Sequence, residues 1–317
     1  MSSSEIPSLT TEDRQLVFQV LDASFNRAIL LGLLQGIYTC IFGYTFWTLF
    51  STRTTRNNAG RKFMAVTIFL LYIFTTISFS FDWAFQRYAY VSNGETFYSV
   101  FLALEAVGPW WRTYRLVTGI TGGINTVLAD IAMIWRCWVI WSENWLIVTP
   151  AIICTVAGML SKVFQIYGSM SNVSSDISRT SGYTTKIDWS ILYLSFTLAT
   201  TVLTTMLIIS RIVKVGNSAC GTGLGSYRRV MEILVESAAL YSISVIVYMG
   251  LVASNDQSAY YADAIMAYIK GIAPTLLMAR IASGQGLSSN KVSQETRVSS
   301  LHFRPPETML GSSGSGR

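Results

Sequence analysis

The chain has 317 residues, of which 51% are hydrophobic and only 13% charged, about half the charged fraction of an ordinary soluble domain. No water-soluble fold of this length hides that much apolar surface, so a soluble protein is excluded. The net charge of +6 raises nucleic acid as a partner, but the surplus sits in connectors and a tail facing anionic headgroups, and no nucleic acid is expected.

From the start of the chain, Thr10 and Asp13 stand at capping-box spacing ahead of Leu16, Val17, Phe18, Val20 and Leu21. This predicts a short amphipathic helix within an extracellular segment, residues 1–27. No cleavable signal peptide is expected there, because the first sustained apolar run is already long enough to span. A bilayer core takes about 20 mostly apolar helical residues. Seven stretches meet that need: 28–50, 63–81, 116–140, 145–167, 189–209, 230–253 and 260–281. Between the second and third, residues 96–106 are too short and mixed to cross, and Gly108-Pro109 separates them from the next helix, which predicts an interfacial helix. Residues 282–317, rich in Ser and Gly and carrying Pro305-Pro306, lack the means to build a core and are expected to be disordered. The expected fold is all-α, one seven-transmembrane helix bundle over residues 28–281.

Lys and Arg are retained on the cytoplasmic side of short loops. With the N-terminus outside, the inner group holds Arg53, Arg56, Arg61, Lys62, Arg136, Arg211, Lys214, Arg228, Arg229, Arg280, Lys291, Arg297, Arg304 and Arg317. The outer group is smaller: Arg14, Arg27, Arg87, Arg112, Arg115, Lys162, Arg179 and Lys186. The N-terminus is therefore expected outside and the tail in the cytoplasm. The sequon at Asn172 falls in an outer connector on this reading, open to glycosylation. Trp47, Trp135, Trp138, Trp141 and Trp145 mark the inner interface, and Trp83, Trp110, Trp111 and Trp189 the outer one. Cys40, Cys137, Cys154 and Cys220 all lie in spans or on the inner side, so no extracellular disulfide is expected.

An ionisable residue at mid-membrane costs roughly 2.5 to 3.5 kcal/mol on insertion scales and normally has a partner or a function. At about 1.5 Å rise per residue, Asp130 and Lys270 both fall near the midplane and are expected to face and neutralise each other. Arg136 and Glu236 match in depth near the inner end, which suggests a lock between the third and sixth spans, against a reading in which Arg136 snorkels and Glu236 bonds a neighbouring hydroxyl. Lys270 also has the amine a retinal Schiff base requires, with Asp130 as counter-ion, although a buried Lys is more often a structural charge. Pro150, Pro274 and Gly122-Gly123 lie inside spans, where they open kinks or let helices approach.

Catalysis is not expected. His302 is the single histidine, too few for a His-based metal site, and neither a nucleophile elbow nor a phosphate-binding loop occurs. No metal and no cofactor are expected.

The segments Leu128-Ala129-Asp130-Ile131-Ala132-Met133-Ile134-Trp135-Arg136-Cys137-Trp138-Val139-Ile140-Trp141, Glu236-Ser237-Ala238-Ala239-Leu240-Tyr241-Ser242 and Gly271-Ile272-Ala273-Pro274-Thr275-Leu276 resemble, in this order, the large family of seven-span membrane proteins of mushroom-forming fungi. The resemblance implies a fungal origin and a receptor-like bundle, and carries no established activity. The expectation is a plasma-membrane receptor or sensor with the bilayer, an external small molecule and a cytosolic partner at its inner loops as its contacts. A transporter or channel is the alternative. Trp83, Tyr88, Trp111, Tyr114 and Trp189 are candidates to line an outer ligand cavity, with interfacial anchoring as their commoner role.

Overall fold

The computed structural model describes residues 11–51, 59–105, 108–142, 144–171, 180–218, 224–254 and 258–299. Its elements are α1 (Thr11–Ser51), α2 (Ala59–Arg87) running into a π-helical turn (Tyr88–Ser92), α3 (Phe97–Glu105), α4 (Pro109–Ile140), α5 (Trp145–Ser171), α6 (Thr180–Ser218), α7 (Leu224–Ala253) and α8 (Ala259–Ser299). No strand occurs among the described residues. Segments of α1, α2, α4, α5, α6 and α8 are long and apolar enough to cross a membrane, and α7 adds the shorter apolar stretch Ala238–Ala253. The surface agrees with that reading: Ile29, Leu33, Ile153 and Val156 stand more than half exposed, which only acyl chains make favourable. The chain is a polytopic helical membrane protein.

Threonine and serine tolerate this setting because their hydroxyls find acceptors inside their own helix. Thr45, Thr75, Thr121, Thr197, Thr204 and Thr275 each donate to the carbonyl four residues earlier. These six hydroxyls are satisfied within their own helices, whereas the buried Thr205 hydroxyl has no partner.

The long helices form a closed ring in the order α1, α2, α4, α5, α6, α7, α8 and back to α1. Within it α8 also packs on α2 and α4, and α4 on α6. The apolar segment of α8 is accordingly 50% buried against 22% for that of α1. Close approach of α1 to α8 rests on Gly271: a Cβ there would lie 3.2 Å from the ring of Tyr38, a side chain with no exposed surface. Gly271→Leu is expected to destabilise the bundle by about 1 to 3 kcal/mol, measured by unfolding in detergent. A variant as stable as the parent would show that the ring of Tyr38 has somewhere to go.

Two sequence expectations change, and a third, the helix after the second span, gains detail. The short N-terminal helix is not separate, because nothing between Leu21 and Ala28 breaks a helix and α1 runs through as one rod. The C-terminal segment expected to be disordered from residue 282 is helical to Ser299. Extending a formed helix fixes one residue per added bond with no new nucleation, which composition alone does not reveal; residues 300–317 lie outside the described residues. Residues Phe97–Glu105 do form a helix after the second span, but it is packed down as a cap. Thr96 and Ser99 exchange hydrogen bonds at its start, backbone N–H to side-chain oxygen in both directions at 3.1 Å. Val100 and Leu104 bury against Phe85 and Ala89, and Phe97 stacks on Phe18 of α1. Gly94 makes the preceding turn, where a Cβ would fall 2.3 Å from the Tyr90 carbonyl oxygen. Gly108 is the extended N-cap and Pro109 the first residue of α4, as the Gly-Pro step predicts.

Candidate functional site

Two polar constellations lie inside the bundle. The first is at the end carrying α3. Arg27 of α1 donates from Nη1 to Oδ1 of Asp82 on α2 at 3.1 Å, and the Tyr114 hydroxyl of α4 donates to the same oxygen at 2.7 Å. Asp263 of α8 stands 3.8 Å from Nη2 of Arg27. Three helices meet on the guanidinium, and α4 joins them through the Asp82 carboxylate. Nearby, Tyr268 donates to Oε1 of Gln35 and Gln35 donates to Thr76, which ties α8, α1 and α2 a second time.

The second constellation surrounds a cavity of about 260 Å³ between α4, α5 and α6. Gly119 and Gly123 of α4 and Gly158 of α5 leave the space, and Ile124, Val127, Met159 and Ile166 line it. Six polar side chains enter this apolar wall, Thr126, Asp130, Thr155, Lys162, Tyr193 and Thr197. Asp130 of α4 is buried at one end. Thr126 and Tyr193 share a hydrogen bond across from α4 to α6. Lys162 of α5 donates to Gln165 at 3.1 Å and holds its Nζ 4.9 Å from the centre of the Tyr193 ring. From the helical rise, Lys162 stands roughly 10 Å closer than Asp130 to the α3 end.

The cavity is not sealed from the lipid. Ile120 of α4 and Met159 and Val163 of α5 belong to its lining, yet are 51%, 54% and 53% exposed. Its mouth therefore lies between α4 and α5, facing the acyl chains. Further toward the end opposite α3, Cys137, Ile208 and Leu277 bury against Met133 and Ile140, and none of them lines the cavity. No family model, no curated protein and no solved structure matches the chain. What the cavity accepts must therefore be read from its own walls.

The charges singled out in the sequence fall differently. Asp130 and Lys270 sit on packed helices, α4 and α8, and attract each other, but are not in ion-pair contact. The ion pairs among the described residues are those of Arg27. Lys270 instead places Nζ 5.3 Å from the centre of the Tyr241 ring, and it is not among the residues lining the cavity, where a retinal bound to it would need room. The lock between Arg136 and Glu236 is not formed. Arg136 is buried and donates from Nη2 to the Pro274 carbonyl of α8 at 3.3 Å, whereas Glu236 is exposed. Equal depth does not fix equal direction around a helix, and α8 packs against both α4 and α7.

The five aromatic residues expected to line an outer cavity do not line this one. Tyr114 is engaged with Asp82 and stacks on Phe85 at 4.3 Å. Trp111 packs with the α3 cap, Tyr88 stacks on Trp110, Trp189 stacks on Phe164, and Trp83 is exposed. Asn172 lies outside the described residues. Sequence reasoning missed Lys162 by counting it with the connectors, although it falls within the span read at 145–167. It also missed Arg27, which counts with the outer loop charges, and passed over Asp82 and Asp263, each within a turn of a span end.

Proposed function

We propose that the chain is a seven-span plasma-membrane sensor whose ligand occupies the cavity between α4, α5 and α6. The N-terminus and α3 face outside and the tail faces the cytoplasm. The order of the quoted motifs supports grouping it with the seven-span proteins of mushroom-forming fungi. The observation that carries the reading is the cavity itself: it has polar groups in an apolar wall, a mouth toward lipid, and packed side chains between it and the cytoplasmic end. A sensor needs one closed site whose occupancy shifts helices, and a transporter needs a path that opens to water on each side in turn.

Cys154 lies on the cavity wall and makes the distinction measurable. In reconstituted vesicles of a variant lacking the other cysteines, a membrane-permeant maleimide is expected to label Cys154, while an impermeant one added on either side is not. Labelling by the impermeant reagent from both sides would replace the sensor with a transporter. Tags at both ends mapped to the same face of the membrane would remove the orientation.

A further inference from the structure

We infer that the cavity binds an amphipathic anion, through Lys162, with its apolar tail leaving between α4 and α5 into the lipid. The inference rests on reading the cavity as the ligand site and names the chemistry of its occupant. Three ionisable groups govern it: Asp130 and Lys162 on the wall and Lys270 behind it. Asp130 draws Lys270, and no carboxylate touches the Lys162 ammonium, which Arg115 repels from a distance. Its contacts are neutral, the amide oxygen of Gln165 and the face of Tyr193. The carboxylate of Asp263 attracts it from a distance but is claimed by Arg27 at 3.8 Å.

An ammonium in oil without an anion in contact is costly. A carboxylate or phosphate head supplies the missing charge and a charge-assisted hydrogen bond. A cationic amphiphile fits worse, because at Asp130 it would meet both lysines as competitors. The rest of the wall asks for hydrocarbon. The exposed flank at Ile120, Met159 and Val163 gives a tail a continuous path to the bilayer, so the occupant need not be small enough to be enclosed. Two sources share this chemistry, a free long-chain carboxylic acid and an anionic phospholipid.

The test is native mass spectrometry of the purified full chain in detergent, with laurate, dodecylamine and dilauroyl phosphatidate as probes. Laurate or phosphatidate is expected to bind at a ratio of one and to exceed dodecylamine. Lys162→Met is expected to weaken that binding about tenfold or more, with Lys162→Arg retaining most of it. Gly123→Leu fills the cavity beside the Lys162 stem, which lies 3.5 Å from where a Cβ would stand, and is expected to abolish binding with the charge intact. Preference for laurate points to a free acid, and preference for phosphatidate to a membrane lipid; either supports the anion site. Stronger binding of dodecylamine, or anion binding unchanged in both Lys162→Met and Gly123→Leu, overturns it. If the anions fail while Cys154 still reacts with the permeant maleimide alone, the anion inference falls and the sensor reading stands.

Discussion

Asp82→Ala is expected to lower the stability of the bundle by about 3 to 5 kcal/mol, the loss that follows when one partner of a buried ion pair is removed. Arg27 and Asp82 are only 15% and 10% exposed at their side chains. Without Asp82, the guanidinium keeps just the longer contact to Asp263, and the Tyr114 hydroxyl loses its acceptor. Nε of Arg27 has no partner even in the parent, so the cation has little in reserve. Asp263→Ala removes a contact to a carboxylate whose side chain is 43% exposed, and about 1 kcal/mol or less is expected. Replacing both Arg27 and Asp82 with Met and Leu is expected to recover much of the loss, because two desolvated charges disappear together. Unfolding of purified protein by denaturing detergent measures all three. Equal effects of Asp82→Ala and Asp263→Ala would show that water reaches the cluster freely.

Lys270→Met is expected to cost about 3 kcal/mol, and Asp130→Asn added to it to restore most of that. The single variant leaves a carboxylate near the midplane with no cation from α8, whereas the double variant leaves a neutral amide. For the second substitution to restore most of what the first removes, the full cycle must show a coupling energy of about 2 kcal/mol or more, in the upper part of the usual 0.5 to 3 kcal/mol for interacting neighbours. Strict additivity would show that Lys270 does not balance Asp130.

Six of the seven expected spans were legible, in α1, α2, α4, α5, α6 and α8, because hydrocarbon thickness imposes a length, and a length is visible in one dimension. Depth was legible for the same reason, which is how Asp130 and Lys270 could be placed at one level without a structure. Direction around each helix was not. Arg136 and Glu236 share a depth and look different ways, since α8 supplies Arg136 with the Pro274 carbonyl instead. Gly122-Gly123 was readable as a place of close approach or opening. That Gly123 lies against the Lys162 stem while Gly158 lies against Phe196 of α6 depends on how α4, α5 and α6 are turned toward each other, and no single segment encodes that. The continuous α1 was legible in retrospect, as Asp22 to Arg27 contains neither glycine nor proline.

The mouth between α4 and α5 has a consequence for any occupant. A compound reaching Lys162 from among the acyl chains answers to its abundance in the bilayer, so its occupancy of the cavity scales with its oil-to-water partition coefficient. Across a homologous series the dose needed to fill the cavity falls as each methylene is added, until the chain outgrows the leaflet. Diluting a fixed amount of compound into more lipid lowers its mole fraction there and so empties the cavity.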